Sequence, residues 1–139
     1  MKPLGAIEPL IAAAGERTAQ PARAAGDLLS LAEVVLGHWL AARGETAGRA
    51  EREGFRLLAL QRQGAKGDPS FNACRETCRE IAYHYNLITM QPDHPQTPQR
   101  LRMMAMVATH LHLFVSGKLQ VAGLGDFCCS SRSAHVAGA

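Results

Sequence analysis

Apolar residues recur at steps of three and four positions along much of the chain, which is the spacing of amphipathic α-helices. The first long stretch of this kind covers residues 21–42, with Gly44 as its predicted end. A further stretch follows Thr46, whose side chain can cap a helix, and its apolar residues crowd into the second half, from Phe55 onward. Both stretches predict helices, and Gly54 interrupts the second.

Two later helices begin with a residue that can cap a helix followed directly by proline, at Asp68-Pro69 and at Thr97-Pro98. After the first signal, seven apolar residues share one predicted helix face: Phe71, Cys74, Cys78, Ile81, Ala82, Tyr85 and Ile88. The helix after Thr97 is predicted to end at Gly117. Its inward stripe is predicted to consist of Met103, Val107, His110 and Phe114.

The two ends of the chain carry weaker signals. Pro3 and Pro9 limit any helix near the N-terminus to a turn or two, so residues 1–20 are predicted to form an arm. Residues 21–129 form the predicted helical domain, and the serine-containing residues 130–139 are expected to be a mobile tail. The expected fold is all-α, an antiparallel four-helix bundle or orthogonal helical array with a short N-terminal arm and an irregular C-terminal tail.

Composition limits the function classes. The 139 residues allow one domain, and 47% apolar with 19% charged residues excludes a disordered chain. Fifteen Lys and Arg against twelve Asp and Glu give a net charge of +3 with the signs interspersed, so a nucleic-acid partner is not expected. With four cysteines and no signal sequence, we expect a soluble protein in the reducing cytoplasm. No apolar segment nears the roughly 20 residues of a membrane span.

Cys74 and Cys78 lie one helical turn apart, so both sulfurs point the same way and suit two thiolate ligands of a soft metal. A disulfide between them would require the helix to distort. The plainer interpretation is that both are small buried apolar residues, because they occupy the centre of the apolar face.

His110 is the third candidate ligand, because the predicted stripe turns it inward while His112 turns outward. If the last two helices pack together, His110 approaches the two helical cysteines, and Cys128 or Cys129 can complete a tetrahedral site for zinc or another thiophilic ion. The spacing matches no compact zinc motif. A buried histidine bonded to a backbone carbonyl or a tyrosine is the competing interpretation.

Arg49, Arg52 and Arg56 share one face of the predicted third helix and can contact phosphates or an acidic partner. Neighbouring glutamates dilute this patch, so a solvated helix face is the alternative.

No arrangement of residues typical of catalysis is visible in the sequence. We therefore expect a small helical interaction or regulatory protein without catalytic activity and without a cofactor, acting through homodimerisation or a helix groove. The alternative is a thiol or metal-binding protein whose Cys/His site holds zinc, copper or iron.

Overall fold

A computed structural model describes residues 1–123 of the chain. Within that range there are five α-helices: α1 (Leu4–Gly15), α2 (Pro21–Ala42), α3 (Arg56–Ala65), α4 (Arg75–Met90) and α5 (Thr97–Ala122). A 3₁₀ helix, Pro69–Cys74, leads directly into α4. The described residues contain no strand beyond an isolated bridge between Arg52 and Phe55, so the all-helical prediction is confirmed there.

The helices pack as a bundle around two central members, α2 and α5. Helices α1 and α4 each contact both of them, and α3 covers α2 and α4. The largest fully buried side chains come from every helix: Ile7, Ile11, Leu28, Leu36, Leu40, Leu57, Leu60, Phe71, Ile81, Ile88, Leu101 and Met104. One hydrophobic core therefore joins all five helices.

The N-terminal segment corrects the prediction of an arm with a helix of a turn or two. Residues 4–15 form α1, and Ile7 and Ile11 are fully buried in the core. Pro9 is tolerated inside this helix because its missing N–H leaves unpaired only the carbonyl of Gly5, which is exposed to water.

The third helix begins ten residues after the predicted capping position at Thr46. Residues 43–55 are irregular, because Glu53 and Gly54 adopt positive φ angles of 54° and 85° that a helix does not allow. The Gln63 side chain holds this segment from within α3, accepting from the Gly48 amide at 2.9 Å and donating to the Thr46 carbonyl at 2.9 Å. The predicted second half of this segment, from position 56 onward, is thus the whole of α3.

The start signal at Asp68-Pro69 is confirmed, but it opens a 3₁₀ helix rather than α4 itself. The Asp68 carboxylate makes no capping bond and instead accepts hydrogen bonds from Ser70 and Lys118. Six of the seven residues expected on the apolar face are buried: Phe71, Cys74, Cys78, Ile81, Ala82 and Ile88.

Helix α5 runs past Gly117 to Ala122 and ends at Gly123, whose φ of 69° is the left-handed conformation that stops many helices. Its buried stripe also differs from the prediction: Leu101, Met104, Ala108, Leu111, Val115 and Leu119. Val107 is buried as predicted, but Met103 is 43% exposed and His110 is exposed. His112 is buried instead, so the predicted orientations of the two histidines are reversed.

Helix α2 is long and apolar enough to cross a membrane by length and composition alone, contrary to the expectation that no segment reaches this limit. Of its most apolar window, 56% is buried inside the domain. The core helix of a soluble protein passes the same test, as does a signal sequence.

Candidate functional site

A groove of about 900 Å³ lies between α3 and the start of α4, with the preceding irregular segment at its edge. Six charged residues line it. Five are cations, namely Arg52, Arg62, Lys66, Arg75 and Arg79, and the sixth is the carboxylate Glu76. We call this the basic groove. Its positive character contrasts with a net charge of only +3 for the whole chain.

Two neighbouring segments supply most of this charge, each with a pair of cations spaced four positions apart. Arg62 lies in α3 and Lys66 directly follows it, while Arg75 and Arg79 occupy the first turns of α4. A spacing of four places Arg75 and Arg79 on the same side of α4, and Lys66, just past the end of α3, lines the same groove as Arg62. The packing of α3 against α4 then brings the two pairs to one groove.

Only one of the five groove cations is paired with a carboxylate. Arg79 binds Glu53 through both guanidinium nitrogens, at 2.9 and 3.3 Å. This hydrogen bond and the charge of Arg79 lower the pKa of the Glu53 carboxyl and raise the pKa of Arg79. The other four cations make no ion pair within residues 1–123: Arg52, Arg62, Lys66 and Arg75.

A buried amide joins the basic groove to the thiols beneath it. Gln61 lines the groove, yet it is only 4% exposed. Its Nε2 donates to the carbonyl of Phe71 at 3.3 Å and points toward the sulfur of Cys74 at 3.9 Å. The Cys74 sulfur therefore lies one side chain below the wall of the groove.

Cys74 and Cys78 are both buried free thiols, and their pKa values shift in opposite directions. The pKa of Cys74 is lowered mainly because the Cys78 thiol is placed to hydrogen-bond its sulfur, an effect that burial opposes and that Gln61 and Lys118 reinforce. The pKa of Cys78 is raised well above its usual value by the same hydrogen bond, by burial and by the charge of a Cys74 thiolate. Cys74 is thus the sulfur that ionises first.

The structure does not bring the predicted arginine patch together on one helix face. Arg49 and Arg52 lie in the irregular segment before α3. Arg56 begins α3, where its Nε donates to the Gly48 carbonyl at 2.8 Å and its guanidinium lies 3.7 Å from Glu33. Of the three, only Arg52 lines the basic groove.

The predicted metal ligands do not form a group in the described part of the chain. His110 is exposed on α5, and residues 1–123 contain no cluster of three His, Cys, Asp or Glu side chains that could hold a metal ion. Cys128 and Cys129, like the predicted tail 130–139, lie outside the described residues.

The cations that dominate the groove were not the ones that sequence analysis selected. Arg75 and Arg79 occupy the polar face opposite Cys74 and Cys78, and such a face is ordinarily only solvated. The available signal was the repeated spacing of four in both pairs of cations, but it indicates a shared site only once the contact between α3 and α4 is known.

A second surface lies on α5, where three apolar side chains are exposed: Met103 at 43%, Met106 at 48% and Leu113 at 57%. The exposed His110 lies between the last two of them in sequence. We call these four residues the α5 stripe. They follow a spacing of three and four positions, so they share one side of the helix.

No known protein family, no curated protein and no solved structure matches this chain.

Proposed function

We propose that this chain is a small helical binding protein that takes an acidic segment of a partner protein into the basic groove. The observation that carries the proposal is the set of four groove cations that form no salt bridge within residues 1–123, of which only Arg52 and Arg75 are close enough to the Glu53 carboxylate to lower its pKa. Like charges held together in one groove repel one another, and an acidic ligand removes that repulsion.

The lining of the groove favours a protein ligand over a nucleic acid. Leu58 and Ala65 give it apolar surface beside the charges, and Asn72 adds an amide that can hydrogen-bond a peptide. No aromatic side chain lines the groove in the described part of the chain, whereas proteins that bind single strands stack bases on such rings. The proposed action is regulatory binding without catalysis in the groove, in a reducing cytoplasm.

Fluorescence anisotropy with a labelled oligoglutamate peptide tests this proposal. We expect binding that weakens as salt rises, since the contacts are between charges. Changing Arg62 and Arg75 together to glutamine should weaken binding at least about tenfold, which corresponds to ~1.4 kcal/mol. The matched control changes Arg23 and Arg102, two exposed arginines outside the groove, and should leave the affinity within about twofold.

Two results would contradict the proposal. Equal weakening in the groove and control variants would mean that only net charge matters. Tighter binding of a single-stranded oligonucleotide than of the peptide, with the same dependence on Arg62 and Arg75, would assign the groove to nucleic acid instead.

Self-association through the α5 stripe is a second candidate, favoured by the exposure of Met103, Met106 and Leu113. A second copy suits this surface because a twofold dimer needs only one self-complementary patch. Light scattering should show a dimer that Leu113→Glu converts to monomer, while Tyr83→Glu on α4, exposed by 60%, does not. A native monomer at every concentration tested would remove this candidate.

A further inference from the structure

Binding in the basic groove makes no use of the two thiols that lie beneath it. Cys74 and Cys78 are 2% and 0% exposed, and each thiol shifts the pKa of the other. Two buried cysteines often have no role beyond packing. Here the local backbone and the neighbours of Cys74 also favour thiol reactivity.

Cys74 does not belong to a regular helix. It ends the 3₁₀ helix and directly precedes α4, with φ −95° and ψ 7°. Two cysteines one turn apart in a regular helix are poorly placed for a disulfide, but here the change of helix type falls on the first of them. The junction therefore places a departure from regular helix geometry at the first of the two cysteines.

The surroundings of Cys74 favour its thiolate. The sulfur lies at the N-terminus of the 16-residue helix α4, where backbone amides and the helix dipole favour negative charge. The Gln61 amide is placed to donate to it, and the neighbouring Cys78 thiol and the Lys118 ammonium both lower its pKa. As a thiol, Cys74 donates to the carbonyl oxygen of Phe71 at 3.2 Å, and its ionisation gives up that hydrogen bond. Cys78, in contrast, lies one turn into the helix. Both its burial and the neighbouring Cys74 sulfur disfavour its thiolate and raise its pKa.

We propose that Cys74 and Cys78 form a redox-active dithiol that a hydroperoxide oxidises to a disulfide, with Cys74 as the attacking sulfur and Cys78 as the resolving sulfur. This proposal is independent of which ligand occupies the basic groove.

Two balanced steps describe the reaction. The Cys74 thiolate attacks the outer oxygen of the hydroperoxide, the O–O bond breaks, and the alkoxide or hydroxide that leaves takes up a proton to become an alcohol or water. The Cys78 thiol then attacks the Cys74 sulfenic acid, forming the S–S bond and releasing water. The two thiols are oxidised by two electrons and the peroxide is reduced, and a dithiol reductant returns the pair to its starting state.

Gln61 marks the route by which a small oxidant reaches the sulfur. Its side chain lines the basic groove, and its Nε2 atom lies 3.9 Å from the Cys74 sulfur. Hydrogen peroxide is the suitable probe because it is little larger than water.

The sequence provides a direct assay for the disulfide. Trypsin cleaves after Arg75, between the two cysteines, and also after Lys66 and Arg79. A disulfide between Cys74 and Cys78 therefore links the tryptic peptides 67–75 and 76–79, which are otherwise separate. After hydrogen peroxide treatment of the folded full-length protein and blocking of the remaining thiols, mass spectrometry should find this linked pair, and dithiothreitol should abolish it.

Variants distinguish the two roles. In a full-length background with Cys128→Ser and Cys129→Ser, the Cys78→Ala variant should accumulate a sulfenic acid on Cys74 that dimedone traps. The matched Cys74→Ala variant should label Cys78 at least about tenfold more slowly, because Cys78 is fully buried one turn into α4, away from the helix N-terminus and from the Gln61 amide that lies beside Cys74. Circular dichroism confirms that each variant is folded.

Three results would overturn the proposal. The first is the absence of the linked pair at every peroxide concentration that leaves the protein folded. The second is a Cys74 that pairs mainly with Cys128 or Cys129. The third is equal labelling of the two single variants, since it would mean that the thiols react without distinct roles.

Discussion

His112 shows how one side chain sets the register of a helix and holds a neighbouring helix in place. Its Nε2 lies 2.8 Å from the carbonyl oxygen of Leu4, so this nitrogen carries the proton and donates it to the first turn of α1. The Nδ1 atom is buried and has no partner in the described part of the chain. One hydrogen bond thus ties α5 to α1 across 108 positions of sequence.

Replacing His112 tests this arrangement. His112→Ala should lower the free energy of unfolding by about 2–3 kcal/mol, because it leaves a cavity and removes the hydrogen bond that joins α5 to the Leu4 carbonyl. His110→Ala is the matched control, and since His110 is exposed its effect should stay within about 0.5 kcal/mol. Urea unfolding followed by circular dichroism measures both. A larger loss in the His110 variant would restore the orientation expected from sequence.

The reversed histidines also show where sequence periodicity reaches its limit. Helix α5 carries apolar residues on more than one side, among them the exposed Met103, Met106 and Leu113. Several stripes of three-and-four spacing therefore fit the same sequence, and only the packing of α1, α2 and α4 against α5 selects one. The prediction that the arginines before Phe55 share a helix face was wrong for a different reason. The positive φ angles of Glu53 and Gly54 prevent a helix from forming there.

At the scale of elements, Gly64 allows α3 to approach the rings between α2 and the 3₁₀ helix. Trp39 and Phe71 stack with centroids 4.9 Å apart, and a Cβ atom added to Gly64 would lie 2.8 Å from the Phe71 ring and 2.9 Å from the Trp39 ring. The Gly64 carbonyl also accepts hydrogen bonds from Trp39 and Arg43, each at 3.1 Å. The absence of a side chain is what permits both the stack and these bonds.

Gly64→Ala is therefore expected to destabilise the protein by about 1–3 kcal/mol, although alanine is the better helix former. Gly117→Ala provides the opposite case, because Gly117 lies within α5 with open space around the added Cβ, and it should stabilise by about 0.5–1 kcal/mol. Thermal unfolding of the two variants compares them. Stabilisation by both would show that α3 lies farther from the rings than described here.

The helix boundaries reveal which local signals were sufficient. Proline after a capping position correctly marked the starts near positions 69 and 98, because its fixed φ suits a first turn and its missing N–H costs nothing there. The same residue misled at Pro9, where an exposed carbonyl made an interior proline tolerable. Local sequence signals therefore predicted most of the helices. The exception is Pro9, because the exposure to water that makes it tolerable depends on the whole fold.

At the scale of the molecule, charges that alternate along the sequence become separated in space. Sequence analysis found no strong positive field because the signs are interspersed, yet five cations reach one groove. Arg62 and Arg75 belong to different helices, and their proximity depends on the packing of α3 against α4. The candidate site was therefore beyond prediction from sequence, even though the fold class was not.

A nuclear magnetic resonance titration of the isotopically labelled full-length protein with the oligoglutamate peptide tests the central claim most directly. The claim is that the basic groove, and not the α5 stripe, is the binding surface. We predict that the backbone signals of residues 58–66 and 71–79 and the side-chain amide of Gln61 shift together, while residues 103–113 stay unchanged. Shifts concentrated in residues 103–113, or no shifts at saturating peptide, would contradict the account.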